Sequence, residues 1–269
     1  MTIWEALVLG VLQGITEFLP VSSSGHLILG QTLLGLNVAD LAEFDITVHV
    51  ATLVAILIYF RSDIIKLLSA FFRLDFRSET GVLNLKLLLA TLPAVFFGLL
   101  FGDLVTSFFR DYRLVALLMI ACGLYFLFVE AIRARQDKQQ ATEVKIGFAQ
   151  ALKIGFAQAL AILPGVSRSG STIATAILLG ISRVEAARFS FLLGSIAITG
   201  AGVLLASDLA ETGVKLSLNL LAFGFLASLV SSYLTVSFLM RFFVNNTLRP
   251  FGVYLVLLGV IVSIVGFVY

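Results

Sequence analysis

A chain of 269 residues with 59% hydrophobic residues, 13% charged residues and a mean hydropathy of +1.07 has the composition of an integral membrane protein, which excludes a soluble globular domain of this length. The net charge of +2 says little about partners, and the single cysteine, Cys122, excludes an internal disulfide and a cysteine metal cage. Within the apolar run from 115 to 129, Cys122 reads as a small packing residue.

The N-terminal MTIWEALVLG lacks a basic n-region, so no cleavable signal is expected. The stretch that follows, GVLQGITEFLPVSSSGHLIL from Gly10 to Leu29, sets an amide, a carboxylate, hydroxyls and an imidazole inside apolar sequence. Such groups are costly in hydrocarbon unless paired or hydrated, so the stretch reads as a functional site. Gln13 and Glu17, four residues apart, share a helix face; Pro20 breaks that helix, and Ser22, Ser23, Ser24, Gly25 and His26 open a second one. Broken backbone at membrane depth survives only where it is buried in protein or lines a wet cavity, and hydroxyls at a helix N-terminus there favour an anion.

Three apolar spans come next, at about 44 to 60, 86 to 101 and 114 to 130. Asp45 and His49 share a face of the first and read as a satisfied intramembrane pair or as support for a pocket, the pair being preferred. Residues 61 to 80, with Arg61, Lys66, Arg73 and Arg77 among Phe and Leu, suit either an interfacial amphipathic segment or a plain loop. A polar linker, 131 to 147, leads to a second broken helix around LPGVSRSGST, Leu163 to Thr172, and to spans at about 189 to 205, 218 to 240 and 251 to 268.

The two halves repeat at a constant offset: Gly10 with Gly155, Gln13 with Gln158, Ser22 with Ser167, Ser24 with Ser169, Gly25 with Gly170 and Phe44 with Phe189, while Pro20 and Pro164 slip by one residue. The expected fold is an all-α polytopic membrane protein, one domain over 1 to 269, with repeat 1 at about 1 to 130 and repeat 2 at about 148 to 269. It has two re-entrant broken helices and about six full transmembrane spans. Three full spans per half would invert the second copy. With the linker placed in the cytoplasm, 13 Lys and Arg fall on that side and three, Arg110, Arg113 and Lys215, on the other, as the positive-inside rule requires.

Arg168, flanked by Ser167 and Ser169 and by glycines, is suited to phosphate, because a planar fork of donors matches phosphoryl oxygens; pairing with Glu17 or snorkelling is the alternative. Glu17 can hold a divalent cation, Mg2+ or Ca2+, helped by the Gln13 amide oxygen, or accept a proton, while His26 transfers one or serves structurally. Ser22, Ser23 and Ser24 can cap the second helix or attack phosphorus.

Across nearly its whole length the chain resembles the bacterial undecaprenyl-pyrophosphate phosphatases, membrane phosphatases of the bacitracin-resistance type. Gln13 and Glu17 stand where that family has Glu or Gln and then Glu; PVSSSGH, Pro20 to His26, matches its serine motif and PGVSRSGST, Pro164 to Thr172, its arginine motif. LPAVFFGLLF from Leu92 and GISRVEAARFSFLL from Gly180 are further family-like segments. The resemblance implies catalytic or binding roles for Gln13, Glu17, Ser22, Ser23, His26, Ser167, Arg168 and Thr172, with Ser24, Gly25 and Ser169 as further substrate contacts. It implies hydrolysis of undecaprenyl pyrophosphate to the monophosphate carrier and inorganic phosphate for cell-wall synthesis. The site then opens on the outer side of the plasma (inner) membrane. The expected partners are the polyprenyl pyrophosphate and the bilayer, with a homodimer left open and no nucleic acid. A secondary transporter for an anion or phospholipid is the competing class, because broken helices in inverted repeats recur there.

Overall fold

The computed structural model describes residues 1–108, 112–138, 144–212 and 216–268. Among them the regular structure is helical: α1 (Ile3–Thr16), α2 (Ser23–Leu33), a 3-10 turn (Val38–Leu41), α3 (Ala42–Tyr59), α4 (Arg61–Phe72), α5 (Glu79–Phe108), α6 (Tyr112–Lys138), α7 (Phe148–Leu160), α8 (Arg168–Leu178), α9 (Arg183–Thr212), α10 (Leu218–Asn245) and α11 (Arg249–Val268).

Local sequence explains the ends that matter. Before α1, Thr2 Oγ1 accepts from the Glu5 amide at 3.3 Å and the Glu5 carboxylate accepts from the Thr2 amide at 2.7 Å, a reciprocal cap. Helix α2 opens with Ser22 Oγ accepting from the Gly25 amide at 3.4 Å, and α8 with Ser167 Oγ accepting from the Gly170 amide at 3.1 Å. The two hairpins also keep the sequence offset, since α2 and α8 begin at 23 and 168 and end at 33 and 178. Their breaks differ: the left-handed residue is Gly165 (φ 96°), directly after Pro164, in one and Ser22 (φ 69°), two residues after Pro20, in the other. The one-residue slip between the prolines therefore lies where the backbone reverses, and in the first break it puts a serine into a conformation that ordinarily favours glycine.

Among the described residues, five helical segments are long and apolar enough to cross a bilayer: Ala42–Tyr59, Glu79–Phe101, Arg113–Arg135, Arg183–Val203 and Leu218–Asn245. The sixth expected span, 251 to 268, is α11, whose described apolar part, Arg249–Val265, is shorter. Several helices run past the expected apolar limits because their polar ends stay helical; α5 and α9 have 30 residues each, roughly 45 Å at 1.5 Å per residue. Segment 61 to 80 is not a plain loop. It forms α4, which buries Leu67 and Ala70 and exposes Ile65, Leu68 and Phe72, and then turns at Leu74 (φ 53°). The expected outer loop residues Arg110 and Lys215 lie outside the described residues, as do 139 to 143 of the linker.

The hairpins pack crosswise: α1 lies on α10 of the second half and α7 on α5 of the first, while the last helices, α6 and α11, pair with each other. The repeat-related Gly10 and Gly155 allow this. A Cβ at Gly10 would strike the backbone of Gly224, and one at Gly155 the backbone of Ala90. Between the hairpins lies the core, with Met119 and Phe126 of α6, Ile173 and Ile177 of α8 and Phe191 and Leu193 of α9 fully buried. Cys122 is buried in it too, in the packing role expected. The outer faces expose Leu99, Leu117, Leu234 and Ile264, apolar surface that only a lipid surrounding accommodates.

Candidate active site

Two breaks in a chain of apolar helices leave polar backbone and side chains at the protein centre, and these find one another. Glu17, in the turn directly after α1, has its side chain 6% exposed and is met from four directions. Arg168 Nη2 donates to Oε1 at 2.5 Å; Ser23 Oγ donates to Oε2 at 2.6 Å and Gln13 Nε2 to the same oxygen at 3.0 Å; His49 Nε2 stands 3.6 Å from it. A carboxylate at this depth keeps its charge only with such company, a full guanidinium and several donors.

The repeat explains the division of labour. At the offset that relates the halves, Ile162 occupies the place of Glu17 and Arg168 the place of Ser23, so one hairpin brings the acid and the hydroxyls and the other the cation. Both helix N-termini, of α2 and α8, face the same small cavity of about 160 Å³, lined by Glu17, Ser23, Ser24, His49, Ser167 and Arg168. The first amides of each helix have no intrahelical acceptor, and the two positive dipole ends add to the guanidinium. Hydroxyls, amides and a fork of donors around a void of that size make this a candidate anion site.

The remaining residues singled out in the sequence surround this cavity without all lining it. Ser22 is buried and spends its hydroxyl on the Gly25 amide, and Gly25 is buried against Met119. Ser169 Oγ reaches back to the Leu19 carbonyl at 3.3 Å, tying one break to the other. Thr172 is fully buried beneath the site, bonded to the Arg168 and Ser169 carbonyls at 2.8 and 3.1 Å and to Ser190 Oγ at 2.6 Å, which holds the first turn of α8 under Arg168. His26 is also buried: Nδ1 lies 2.8 Å from the Ser22 carbonyl and Nε2 lies 2.7 Å from the Tyr254 hydroxyl, with the two rings stacked at 5.7 Å. A carbonyl only accepts, so Nδ1 carries the proton and Nε2 of the neutral ring accepts a hydrogen bond from the Tyr254 hydroxyl. His26 thereby braces the strained Ser22 turn.

Four participants had weak or no sequence signals. His49 and Asp45 share a helix face, yet they do not form the self-contained side-chain pair preferred from sequence: the Asp45 carboxylate accepts from Gln31 Nε2 at 2.6 Å, and His49 keeps only the Asp45 backbone carbonyl and turns Nε2 to Glu17. A pair four residues apart looks complete in sequence, whereas Gln31 on α2 takes the acid away. Tyr254 lies on the last helix, 228 positions from His26, and nothing local marks it. Ser190 and Gly194 come from α9; Ser190 braces Thr172, and a Cβ on Gly194 would occupy the place of the Arg168 guanidinium. The GISRVEAARFSFLL segment contains Ser190 and stops one residue short of Gly194, which is the nearest to a signal.

The fold defines a polytopic all-α membrane protein, with a candidate anion site between its two helix breaks. The chain belongs to the family described as bacitracin resistance protein BacA, which it matches over residues 6–261. It is also 40% identical, over 266 residues and 96% of each chain, to an undecaprenyl-diphosphatase of Rubrobacter xylanophilus.

Proposed function

We infer that this chain is a membrane hydrolase that removes the terminal phosphate of undecaprenyl diphosphate, giving the monophosphate carrier lipid and inorganic phosphate. Its family and the name of its relative support the reaction, and the observation that carries the chemistry is the Ser23–Glu17–Arg168 constellation. A hydroxyl donating to a carboxylate at 2.6 Å is the pairing of a nucleophile with its base, and a guanidinium on the other carboxylate oxygen sits where a phosphoryl group would be held.

In the reaction, Ser23 Oγ attacks the terminal phosphorus while Glu17 takes its proton. The bond from phosphorus to the bridging oxygen breaks, and the polyprenyl monophosphate leaves. Glu17 gives the serine proton to that leaving group; water then attacks the phosphoserine while giving a proton to Glu17, the bond from phosphorus to Ser23 Oγ breaks, inorganic phosphate leaves and the serine oxygen recovers the proton from Glu17. Arg168 and the free amides of α2 and α8 stabilise the charge on the phosphoryl oxygens, and Ser24 and Ser167 position them. Because His26 and Tyr254 hold Ser22, they act by positioning the serine turn.

A divalent cation, Mg2+ or Ca2+, fits this set. Gln13 Oε1 is a buried acceptor without a hydrogen-bond partner among the described residues, on the side chain next to Glu17. Glu17 and Gln13 would hold the cation together with diphosphate oxygens, since no group of three His, Cys, Asp or Glu suited to a metal occurs among the described residues. Bound there, it would neutralise charge on the diphosphate.

A second cavity of about 350 Å³ between α3 and α9, lined by Ile46, Val50, Ile198 and Ala201, shares His49 with the anion site. It suits the first isoprene units of a tail that runs out laterally to lipid. The 13 to 3 division of Lys and Arg supports an inverted second repeat, a plasma-membrane setting and a site opening to the outside. The test is phosphate release from a polyprenyl diphosphate by purified protein in detergent. Ser23→Ala should abolish it, and Arg168→Lys, which keeps charge but loses the fork, should lower it roughly ten- to a hundredfold. No phosphate release by the wild-type protein, with lipid-phosphate translocation in proteoliposomes, would replace the hydrolase by a transporter.

A further inference from the structure

A larger cavity, about 620 Å³, lies between the starts of α5 and α9 and the end of the linker, and its lining residues are distinct from those of the anion site. Arg77, Lys86, Lys145 and Arg188 line it, against Glu79 and Glu185. Arg188 is already matched, by Asp63 at 2.6 Å and Glu185 at 3.5 Å. Among the described residues, no carboxylate lies within ion-pair distance of Arg77, Lys86 or Lys145. Lys86 is half-buried near the start of α5, with its ammonium 5.8 Å from the centre of the Phe148 ring. A cation partly withdrawn from water without a carboxylate partner favours an anion beside it.

The cavity is also half apolar. Leu83, Ile146, Phe189 and Leu192 form its inner wall, and the chain that leads into Arg77 exposes Phe71, Phe72, Leu74 and Phe76. That approach is fixed in place, because the Asp75 carboxylate accepts from the Arg77 and Ser78 amides at 3.1 and 3.0 Å. Exposed aromatic and aliphatic side chains beside basic ones are the composition of a membrane interface. The cavity therefore offers cations at headgroup level and an apolar wall continuing inward, a combination that matches a phospholipid and wastes half its surface on a soluble anion.

We propose that this cavity binds an anionic phospholipid, its headgroup phosphate held by Arg77, Lys86 and Lys145 and an acyl chain lying on Leu83, Phe189 and Leu192. The lipid joins α5, α9 and the linker at the Lys- and Arg-rich face; that this face belongs to the cytoplasmic leaflet rests on the orientation proposed above, whereas the site itself does not.

Native mass spectrometry of the full chain released from detergent tests this, with phosphatidylglycerol, phosphatidylcholine and inorganic phosphate added separately. Wild-type protein should retain one phosphatidylglycerol selectively, and Lys86→Gln/Lys145→Gln should weaken that retention roughly 30-fold, from the effect of about two cations near a headgroup. Phosphate release in detergent is measured in parallel. It should be unchanged by the variants, so loss of lipid binding is read independently of the hydrolase assignment. Should the double variant fail to elute as wild type in gel filtration, Arg77→Gln/Lys145→Gln, at two exposed positions, gives the same readout. Equal lipid retention by variant and wild type overturns the proposal, as does equal retention of phosphatidylglycerol and phosphatidylcholine. Inorganic phosphate that binds and displaces the lipid would make this a soluble-anion site and overturn it as well.

Discussion

Gly194 provides the sharpest perturbation, because a methyl there would press first on a single side chain. A Cβ built at Gly194 finds its three nearest atoms in the Arg168 guanidinium, closer than packed atoms come, so Gly194→Ala requires the guanidinium to retreat. The obstruction is the end of a flexible side chain, and α9 can stay where it is. The retreat is about 1 Å or more, and misplacing a positioning group by that much lowers turnover on the order of a hundredfold, about 2.7 kcal/mol of transition-state stabilisation. Folding should not suffer equally, since replacing glycine by alanine inside a helix contributes about 0.5 to 1 kcal/mol toward stability. The expected variant is therefore well folded and nearly inactive. The assay is kcat/KM for phosphate release together with thermal unfolding in detergent, with Gly200→Ala as the control. Gly200 lies on the same helix with no atom within 4 Å of its Cβ position, so that change should preserve activity. If Gly194→Ala turns over as fast as Gly200→Ala, the placement of Arg168 against α9 is irrelevant to catalysis.

Glu17→Gln removes the base and so turnover in either role, and the role of Glu17 beyond that is separated by direct Mg2+ or Ca2+ binding and by unfolding: a raised binding midpoint with a modest stability change supports cation binding. A loss of several kcal/mol with an unchanged midpoint means that Glu17 chiefly neutralises Arg168. Glu130, 1% exposed, accepts from Arg183 Nη2 at 2.7 Å, from Arg183 Nε at 3.2 Å and from the Leu248 amide at 2.8 Å, joining α6, α9 and the start of α11. Glu130→Ala should cost about 3 kcal/mol, and a melting temperature equal to wild type would show that this junction is dispensable. For topology, Ser217→Cys should react in intact cells with an impermeant thiol reagent and Ser78→Cys should not, both in a Cys122→Ser background; the reverse pattern would reject the orientation drawn from the Lys and Arg division.

Much of this protein is legible in its amino-acid order because membrane burial makes polarity informative. Apolar stretches of spanning length could only be helices; segment 218 to 240 falls within α10, and 44 to 60 matches α3 except for its last residue. Pro20 and Pro164 stop their helices because the ring removes an amide and clashes with the preceding turn, so both breaks are visible as local events. Glu17 and Arg168 stand out for the same reason: a charge in such surroundings requires a purpose or a partner. Even their meeting is foreshadowed by the repeat, which puts Ser23 and Arg168 at equivalent positions of two hairpins.

Which oxygen, ring or hydroxyl faces which neighbour was decided only by the tertiary structure. Ser22, Ser23 and Ser24 are indistinguishable in sequence; the left-handed turn at Ser22 commits its hydroxyl to a cap and leaves Ser23 to donate to Glu17. His26 and His49 exchange their apparent importance, because α11 brings Tyr254 to the first and the crossing of α1 with α3 brings Glu17 to the second. The fit of Gly194 against Arg168 and the convergence of Arg77, Lys86 and Lys145 on one cavity arise from packing between distant segments. Local order encodes where a helix begins, ends and hides its apolar face, through backbone hydrogen bonds and solvation of each residue in turn. The direction of a side chain across a helix crossing depends on contacts between residues far apart in the chain, and those exist only once the helices have packed.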